Sequence, residues 1–194
     1  GDASAPKQEQ PYFGPNKDTP ATADDITKIL AGTVGVSSFY EPAMNLIKAN
    51  YVKGEPALPD LSLEVQLLAG RNEFTYWDKA IERLLEIRSR RVLPTNMQLT
   101  LAELYNRTNQ WQKCRTELYN LATREGRNPA VLSQVVSMFL EQKELHSAQQ
   151  QLDNLKRRVP NSPEVVLLQA RIHAAQGKTN DAVKGLSSLI PAPK

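Results

Sequence analysis

The chain has 194 residues, of which 40% are hydrophobic and 23% are charged, and its formal net charge is +3 with an isoelectric point near 9.0. This length fits one or two ordinary domains or one short repeat array, and the basic excess is too small to indicate nucleic-acid binding by itself. Cys114 is the single cysteine, which excludes a disulfide within the chain and a metal cage built from thiolates.

The sequence predicts no membrane span and leaves the cellular location open. No apolar run approaches the roughly 18 residues that a transmembrane helix needs. The sequence also contains no signal peptide. Because a start at Gly1-Asp2 is typical of a trimmed chain, from which a targeting segment can be missing, this absence says little about location. We therefore expect a soluble protein of the cytoplasm or the periplasm.

The first segment, residues 1–22, is rich in proline. It contains Pro6, Pro11, Pro15 and Pro20 among mostly small and polar residues. Proline fixes φ and cannot donate a helix hydrogen bond. The composition therefore predicts a disordered arm or linker over 1–22.

Residues 23–60 carry the pattern of one helical hairpin. A capping pair at Thr22 and Asp25 marks the start of the first helix, and Ser38 marks the start of the second. Gly54 and Pro56 end the pattern. The apolar positions of the second helix are Tyr40, Ala43, Met44, Ile47 and Tyr51. We interpret this hairpin as a degenerate first repeat.

From residue 61 onward, one pattern of two amphipathic helices recurs at a constant interval, which is called the repeat period below. The aligned sets are Ala102, Val136 and Ala170; Tyr105, Phe139 and His173; Cys114, Ala148 and Ala182; Leu118, Leu152 and Leu186; and Leu121, Leu155 and Leu189. A fixed period of about 34 residues is typical of a solenoid or array. Four repeats are predicted, at 61–94, 95–128, 129–162 and 163–194.

The repeated positions resemble those of the tetratricopeptide repeat (TPR) family. In 95–128, Ala102 and Cys114 are the small residues that let two helices approach closely, and Tyr105 is the aromatic position. Leu118 and Leu121 supply the large apolar positions that fill the space between neighbouring hairpins. The resemblance implies an all-α fold, a right-handed superhelical array of antiparallel helix hairpins, over residues 61–194.

The resemblance also implies a function. Proteins of this family are usually scaffolds, not enzymes, and bind a protein or peptide through the concave face made by the first helix of each repeat. The residues expected on that face are Gln66, Asn72, Glu73, Asn96, Leu99, Glu103, Asn106, Arg107, Gln134, Glu141, Leu167 and Arg171. The alternative is a regulatory or accessory module of a larger multidomain enzyme, whose catalytic part lies outside this sequence.

The residues that most often carry chemistry have simpler interpretations here. His146 and His173 lie in different repeats, and His173 occupies the aromatic packing position. Cys114 occupies a small packing position, where a thiol behaves as a small hydrophobe. Trp77 and Trp111 are one repeat period apart, which indicates core packing. We therefore expect no catalytic site, no metal and no cofactor.

Two basic runs end the second helices of their repeats, Arg88 to Arg91 and Lys156 to Arg158. Cations at a helix C-terminus complement the helix macrodipole, and we favour this interpretation. The alternative is a basic ridge for an acidic partner or a nucleic acid. Because the net charge is weak, nucleic acid is the least favoured of these partners.

The array ends at Ile190-Pro191 without a polar capping helix. Terminal repeats normally need such a cap, so the face formed by Val183, Leu186 and Ile190 is expected to be exposed. Two explanations compete: the chain is a fragment of a longer array, or a homodimer buries this face.

Overall fold

A computed structural model describes residues 40–53 and 56–189, except for the side chains of residues 52 and 53. The predicted arm at 1–22, the first helix of the hairpin at 23–60 and the apolar residue Ile190 lie outside the described residues.

Within that part of the chain the fold is entirely helical, with no strand, as the sequence predicted. Among the described residues, a 3-10 helix at Asn50–Lys53 follows the first of nine α-helices. The α-helices are α1 (Tyr40–Ala49), α2 (Leu58–Gly70), α3 (Phe74–Arg90), α4 (Thr95–Arg107), α5 (Trp111–Arg124), α6 (Pro129–Glu141), α7 (Leu145–Arg158), α8 (Pro163–Ala175) and α9 (Thr179–Ser187).

The chain divides into two compact units, and the boundary between Ala80 and Ile81 lies inside α3. In the first unit, α1 packs against α2. Ile47 and Leu63 are buried together, with Tyr51 partly buried beside them. The Tyr51 hydroxyl donates a hydrogen bond of 2.7 Å to Glu64. The predicted apolar stripe of α1 therefore does form a core face.

The second unit is built from three hairpins, α4–α5, α6–α7 and α8–α9. Consecutive hairpins contact each other where α5 meets α6 and where α7 meets α8, and α6 also packs against α8. The first helices α6 and α8 thus each lie against the hairpin before them. This is the stacking that lets neighbouring repeats bury one continuous core.

The repeated apolar positions form that core. Ala102, Cys114, Leu118 and Leu121 have no exposed surface. The equivalent residues of the next hairpin are buried just as completely; they are Val136, Ala148, Leu152 and Leu155. This confirms the packing positions assigned from the repeat period.

The last hairpin departs from this pattern on one face. Leu186 and Leu189 are 39% and 40% exposed, although they are equivalent to fully buried leucines in the preceding hairpins. His173, at the aromatic position, is half-buried. In the described part of the chain no hairpin follows to cover this face, so the exposure predicted for Val183 and Leu186 is confirmed. The homodimer through this face stays a prediction.

The turns within the hairpins of the second unit each need a left-handed backbone. Asn109 and Gly177 lie in the first and the last of these turns and have φ values of 58° and 77°. Lys143 has φ of 57° in the equivalent turn, a conformation that lysine adopts less readily than asparagine or glycine. The turn therefore has a left-handed backbone even where its residue, lysine, disfavours that conformation.

The turn after α2 is displaced, which corrects one expectation. One repeat period back from Arg107, the end of α4, the chain reaches Glu73, but α2 ends at Gly70. Asn72 and Glu73 consequently lie in the turn before α3 and not on the first helix. The residue aligned with Asn109 is Thr75, and a β-branched residue strongly disfavours positive φ. α2 is as long as α4, at 13 residues, but it begins and ends three residues earlier than the repeat period places it, and α3 begins correspondingly early, at Phe74.

Candidate functional site

A groove of about 530 Å³ runs along the first helices of the second unit. Glu103 of α4 lies on one side of it, α6 forms its floor, and the end of α7 and the start of α8 complete it. The side chains that matter most for its chemistry are Glu103, Ser133, Gln134, Ser137, Met138, Glu141 and Glu164. The groove therefore combines carboxylates with small polar groups and one buried thioether.

The charge in this groove is negative. Glu103, Glu141 and Glu164 supply three carboxylates, and no described residue that lines the groove is basic. Burial raises the pKa of the Glu103 carboxyl above its ordinary value of 4.5; Arg107 opposes this rise and Glu141 adds to it. The Glu103 side chain has a large exposed surface, but the surrounding groove still removes part of its hydration. A carboxylate in this position is stabilised when a cation approaches it.

Hydrogen bonds join the first helices of neighbouring hairpins beside the groove. The Asn106 amide donates to Glu141 at 3.3 Å and accepts from the Gln142 amide at 2.6 Å. Arg171 donates to the Ser137 hydroxyl at 3.2 Å. These bonds fix the side chains of three candidate residues, so part of the groove is organised before any partner arrives.

The structure brings six of the twelve predicted residues together. Three of them, Glu103, Gln134 and Glu141, line the groove itself. Another three lie beside it and contact its residues: Asn106 and Arg171 through hydrogen bonds, and Arg107 through its charge.

The other six predicted residues are placed separately. Asn96 is exposed and Leu99 half-buried near the start of α4, and neither lines the groove. Leu167 of α8 is 46% exposed. In the first unit, Gln66 is exposed on α2 and donates to Ser62 at 3.4 Å. The remaining two, Asn72 and Glu73, lie in the displaced turn described above.

A buried polar cluster was missed by the sequence interpretation. Glu117 of α5 is 6% exposed, accepts a hydrogen bond of 2.6 Å from Arg88 and another of 2.9 Å from the Gln98 amide. Gln98 is equally buried, and its carbonyl oxygen has no hydrogen-bond partner among the described residues. A charged residue on a second helix gives no signal of burial in an apolar repeat pattern. Its spacing of three residues from Cys114 and four from Leu121 was the only indication that it faces inward.

Cys114, the single thiol, is arranged for packing and not for catalysis. Burial raises the pKa of the Cys114 thiol to about 12, and Glu117 and Glu141 add to the rise, so the thiolate needed for nucleophilic attack is disfavoured. The described residues contain no group of three or more His, Cys, Asp or Glu side chains that could hold a metal. In the same part of the chain, no helix combines the length and the apolar character that crossing a bilayer requires.

Solved structures resemble this chain in fold, whereas comparison with protein-family models and with curated protein sequences gives no match. A tetratricopeptide repeat protein from Parabacteroides merdae aligns over 87% of this chain with a TM-score of 0.65 at 16% identity, and the chain spans 65% of that protein's length. Two structures of MamA, designated MSR-1 and AMB-1, align over 84% of this chain with TM-scores of 0.55 and 0.58, at 14% and 16% identity. The chain covers 88% and 91% of those two structures.

Proposed function

We propose, from the tetratricopeptide-repeat fold of this chain, that it is a non-enzymatic scaffold that binds a protein or peptide partner. The observation that carries the proposal is the acidic groove along the first helices, with Glu103, Glu141 and Glu164 at its edges. Its surface is preorganised by the hydrogen bonds of Asn106 and Arg171. Preorganised side chains reduce the entropy that a binding site loses when a partner is ordered on it.

The chemistry of the groove favours a basic segment with aliphatic side chains. Three carboxylates without a lining cation attract lysine or arginine, and the pKa of Glu103 is raised by burial and by the neighbouring Glu141 carboxylate, so a cation bound beside it would stabilise its charged form. Met138, Leu155 and Val159 give the groove an apolar floor. Methionine adapts its shape to different partners, which suits a surface that receives an extended peptide.

Reversing the charge of the groove is expected to abolish most of the affinity. A fluorescein-labelled peptide of alternating lysine and leucine is the probe, and fluorescence anisotropy measures its Kd. The double variant Glu103→Lys/Glu141→Lys is expected to bind at least about tenfold more weakly, because two attractive charges become repulsive, and tenfold corresponds to about 1.4 kcal/mol.

The matched control is the double variant Asp78→Lys/Glu82→Lys, which makes the same change of charge at two exposed carboxylates on α3, outside the groove. Its Kd is expected to stay within about twofold of the parent value. An equal loss in the control and the groove variant would show that general surface charge, not the groove, attracts the peptide. Affinity purification with mass spectrometry, using the parent chain and the groove variant in parallel, then identifies natural partners that depend on these two carboxylates.

The raised pKa of Glu103 makes a prediction for stability against pH. A carboxyl whose folded pKa lies above its unfolded pKa weakens the folded state at pH values above the folded pKa, and this cost disappears as the pH falls through that value. Glu103→Gln is therefore expected to raise the thermal midpoint at pH 7 and to leave it unchanged near pH 4. Circular dichroism at both pH values checks this, with Glu82→Gln as the control. A gain of equal size at both pH values would contradict the proposed desolvation of Glu103.

A further inference from the structure

In three successive repeats, the second helix ends in an arginine. The last residues of α3, α5 and α7 are Arg90, Arg124 and Arg158, and each is one repeat period from the next. All three are exposed. The array thus places one guanidinium per repeat along the edge formed by the second-helix C-termini.

Beside Arg124 and Arg158 lies a pocket of about 950 Å³, larger than the acidic groove. The end of α5, the loop 125–128 and the end of α7 line it. Arg127 and Arg157 also lie on its wall, which brings the number of guanidinium groups to four. Glu125 is the only carboxylate among the described residues that line it.

The positive charge in this pocket is only partly neutralised. Glu125 accepts hydrogen bonds of 2.6 Å from Thr95 and 3.2 Å from Arg124, and these bonds hold the pKa of its carboxyl below the ordinary value. Arg157 donates to the side-chain oxygen of Asn154, a neutral group. In the described part of the chain, Arg127 and Arg158 have no salt bridge to a carboxylate.

Helix dipoles do not account for all of these arginines. The C-termini of α5 and α7 each contribute roughly half a negative charge, and the start of α6, which also lines the pocket, contributes roughly half a positive charge. Four guanidinium groups against one carboxylate therefore leave the pocket clearly positive. The macrodipole explains one cation at each helix end but not the additional Arg127 and Arg157.

The loop that carries Arg127 is held close to the end of α5. A Cβ atom at Gly126 would lie 2.7 Å from the carbonyl oxygen of Ala122, closer than real Cβ contacts. Glycine thus permits the backbone to fold back against the last turn of α5. Asn128 continues this fixed loop by accepting a hydrogen bond of 3.1 Å from the amide of Ala130 at the start of α6.

We propose that this pocket is a second binding site, which takes an acidic polypeptide segment bearing carboxylate or phosphorylated side chains. Guanidinium groups form paired hydrogen bonds with both kinds of anion. Nucleic acid is disfavoured because single strands are usually held by aromatic stacking, and no aromatic residue is found among the described residues that line the pocket. The chain then has two sites of opposite charge preference, and residues of repeats 95–128 and 129–162 line both.

The test uses the full chain and three labelled probes of similar length and charge: a glutamate-rich peptide, a phosphoserine-rich peptide and a single-stranded DNA. Fluorescence anisotropy measures each Kd at about 50 and about 300 mM salt. Arg127→Glu/Arg158→Glu removes two pocket cations, and Lys178→Glu/Lys184→Glu makes the same change of charge on exposed lysines outside the pocket. Circular dichroism melting verifies that both variants remain folded.

We expect at least one of the two peptides to bind, with affinity that falls at high salt and falls at least tenfold in the pocket variant but less than twofold in the lysine variant. The tighter of the two peptides identifies whether carboxylate or phosphate is the better ligand. The proposal is overturned by equal losses in both variants, by no peptide binding, or by DNA binding that exceeds peptide binding and depends on the pocket arginines. Binding of the basic peptide in the acidic groove is a separate measurement, so either site can fail without the other.

Discussion

Leu152→Ala is expected to lower the free energy of unfolding by about 2–5 kcal/mol, whereas Leu186→Ala is expected to cost below about 1 kcal/mol. The two leucines occupy the same position in successive repeats. Leu152 has no exposed surface, but Leu186 is 39% exposed. The first substitution therefore leaves a cavity between packed hairpins, and the second removes atoms that water already reaches in part.

Urea denaturation of both variants, followed by circular dichroism, measures this difference. Leu118→Ala, at the same position one repeat earlier and fully buried, is the internal replicate and should resemble Leu152→Ala. If Leu186→Ala proved as costly as the other two, a second molecule or a further segment would have to cover α9 in solution. Repeating the titration at several protein concentrations separates those two explanations, because only association depends on concentration.

Glu117→Ala is expected to lower the free energy of unfolding by about 2–4 kcal/mol, because it leaves the buried Gln98 amide and the partly exposed Arg88 guanidinium without their acceptor. Glu117 is the only residue shown to accept from both Arg88 and Gln98 in the described structure. Gln98 already has an unpartnered carbonyl oxygen, so the loss leaves its whole amide unsatisfied. The Arg88 side chain is 44% exposed and can turn to water, which keeps the cost below that of a fully buried pair.

The matched control for this change is Glu86→Ala. Glu86 also accepts from two arginines, Arg83 at 2.5 Å and Arg90 at 3.0 Å, but its side chain is 43% exposed. Exposed ion pairs contribute little, so we expect a loss below about 1 kcal/mol. Thermal and urea unfolding of the two variants compare the pairs directly. Similar losses for Glu86 and Glu117 would mean that burial does not set the value of the Glu117 cluster.

The fold could be predicted because its apolar pattern repeats. The repeat period assigned Ala102, Cys114, Leu118 and Leu121 to the core, and all four are fully buried. Local chemistry limited the prediction elsewhere. Thr75 disfavours the left-handed turn position, and α2, which begins and ends three residues early, leaves Asn72 outside the first helix. The spacing of apolar residues contains no information about such constraints on the backbone dihedral angles.

The candidate site could be predicted only in outline. The family resemblance implies that the first helix of each repeat faces the groove, and hence Glu103 and Glu141, but it does not show which side chains from different hairpins meet. Those pairings, such as Arg171 with Ser137, depend on how one hairpin is rotated against the next. Two of the three arginines that end the second helices lie in basic runs that the sequence shows directly. Arg124 lies outside any run, and its equivalence to the other two is found only by comparing the repeats.

The exposed leucines of α9 imply a gradient of local opening along the second unit. Hairpin α6–α7 contacts hairpins on both sides, whereas the described contacts of α8–α9 lie on one side only. In a linear array each hairpin is stabilised by its nearest neighbours, so the one with a single neighbour opens at the lowest free energy. Amide hydrogens of α9 should then exchange with solvent through opening of one hairpin, while those of α6 exchange only when several hairpins open together.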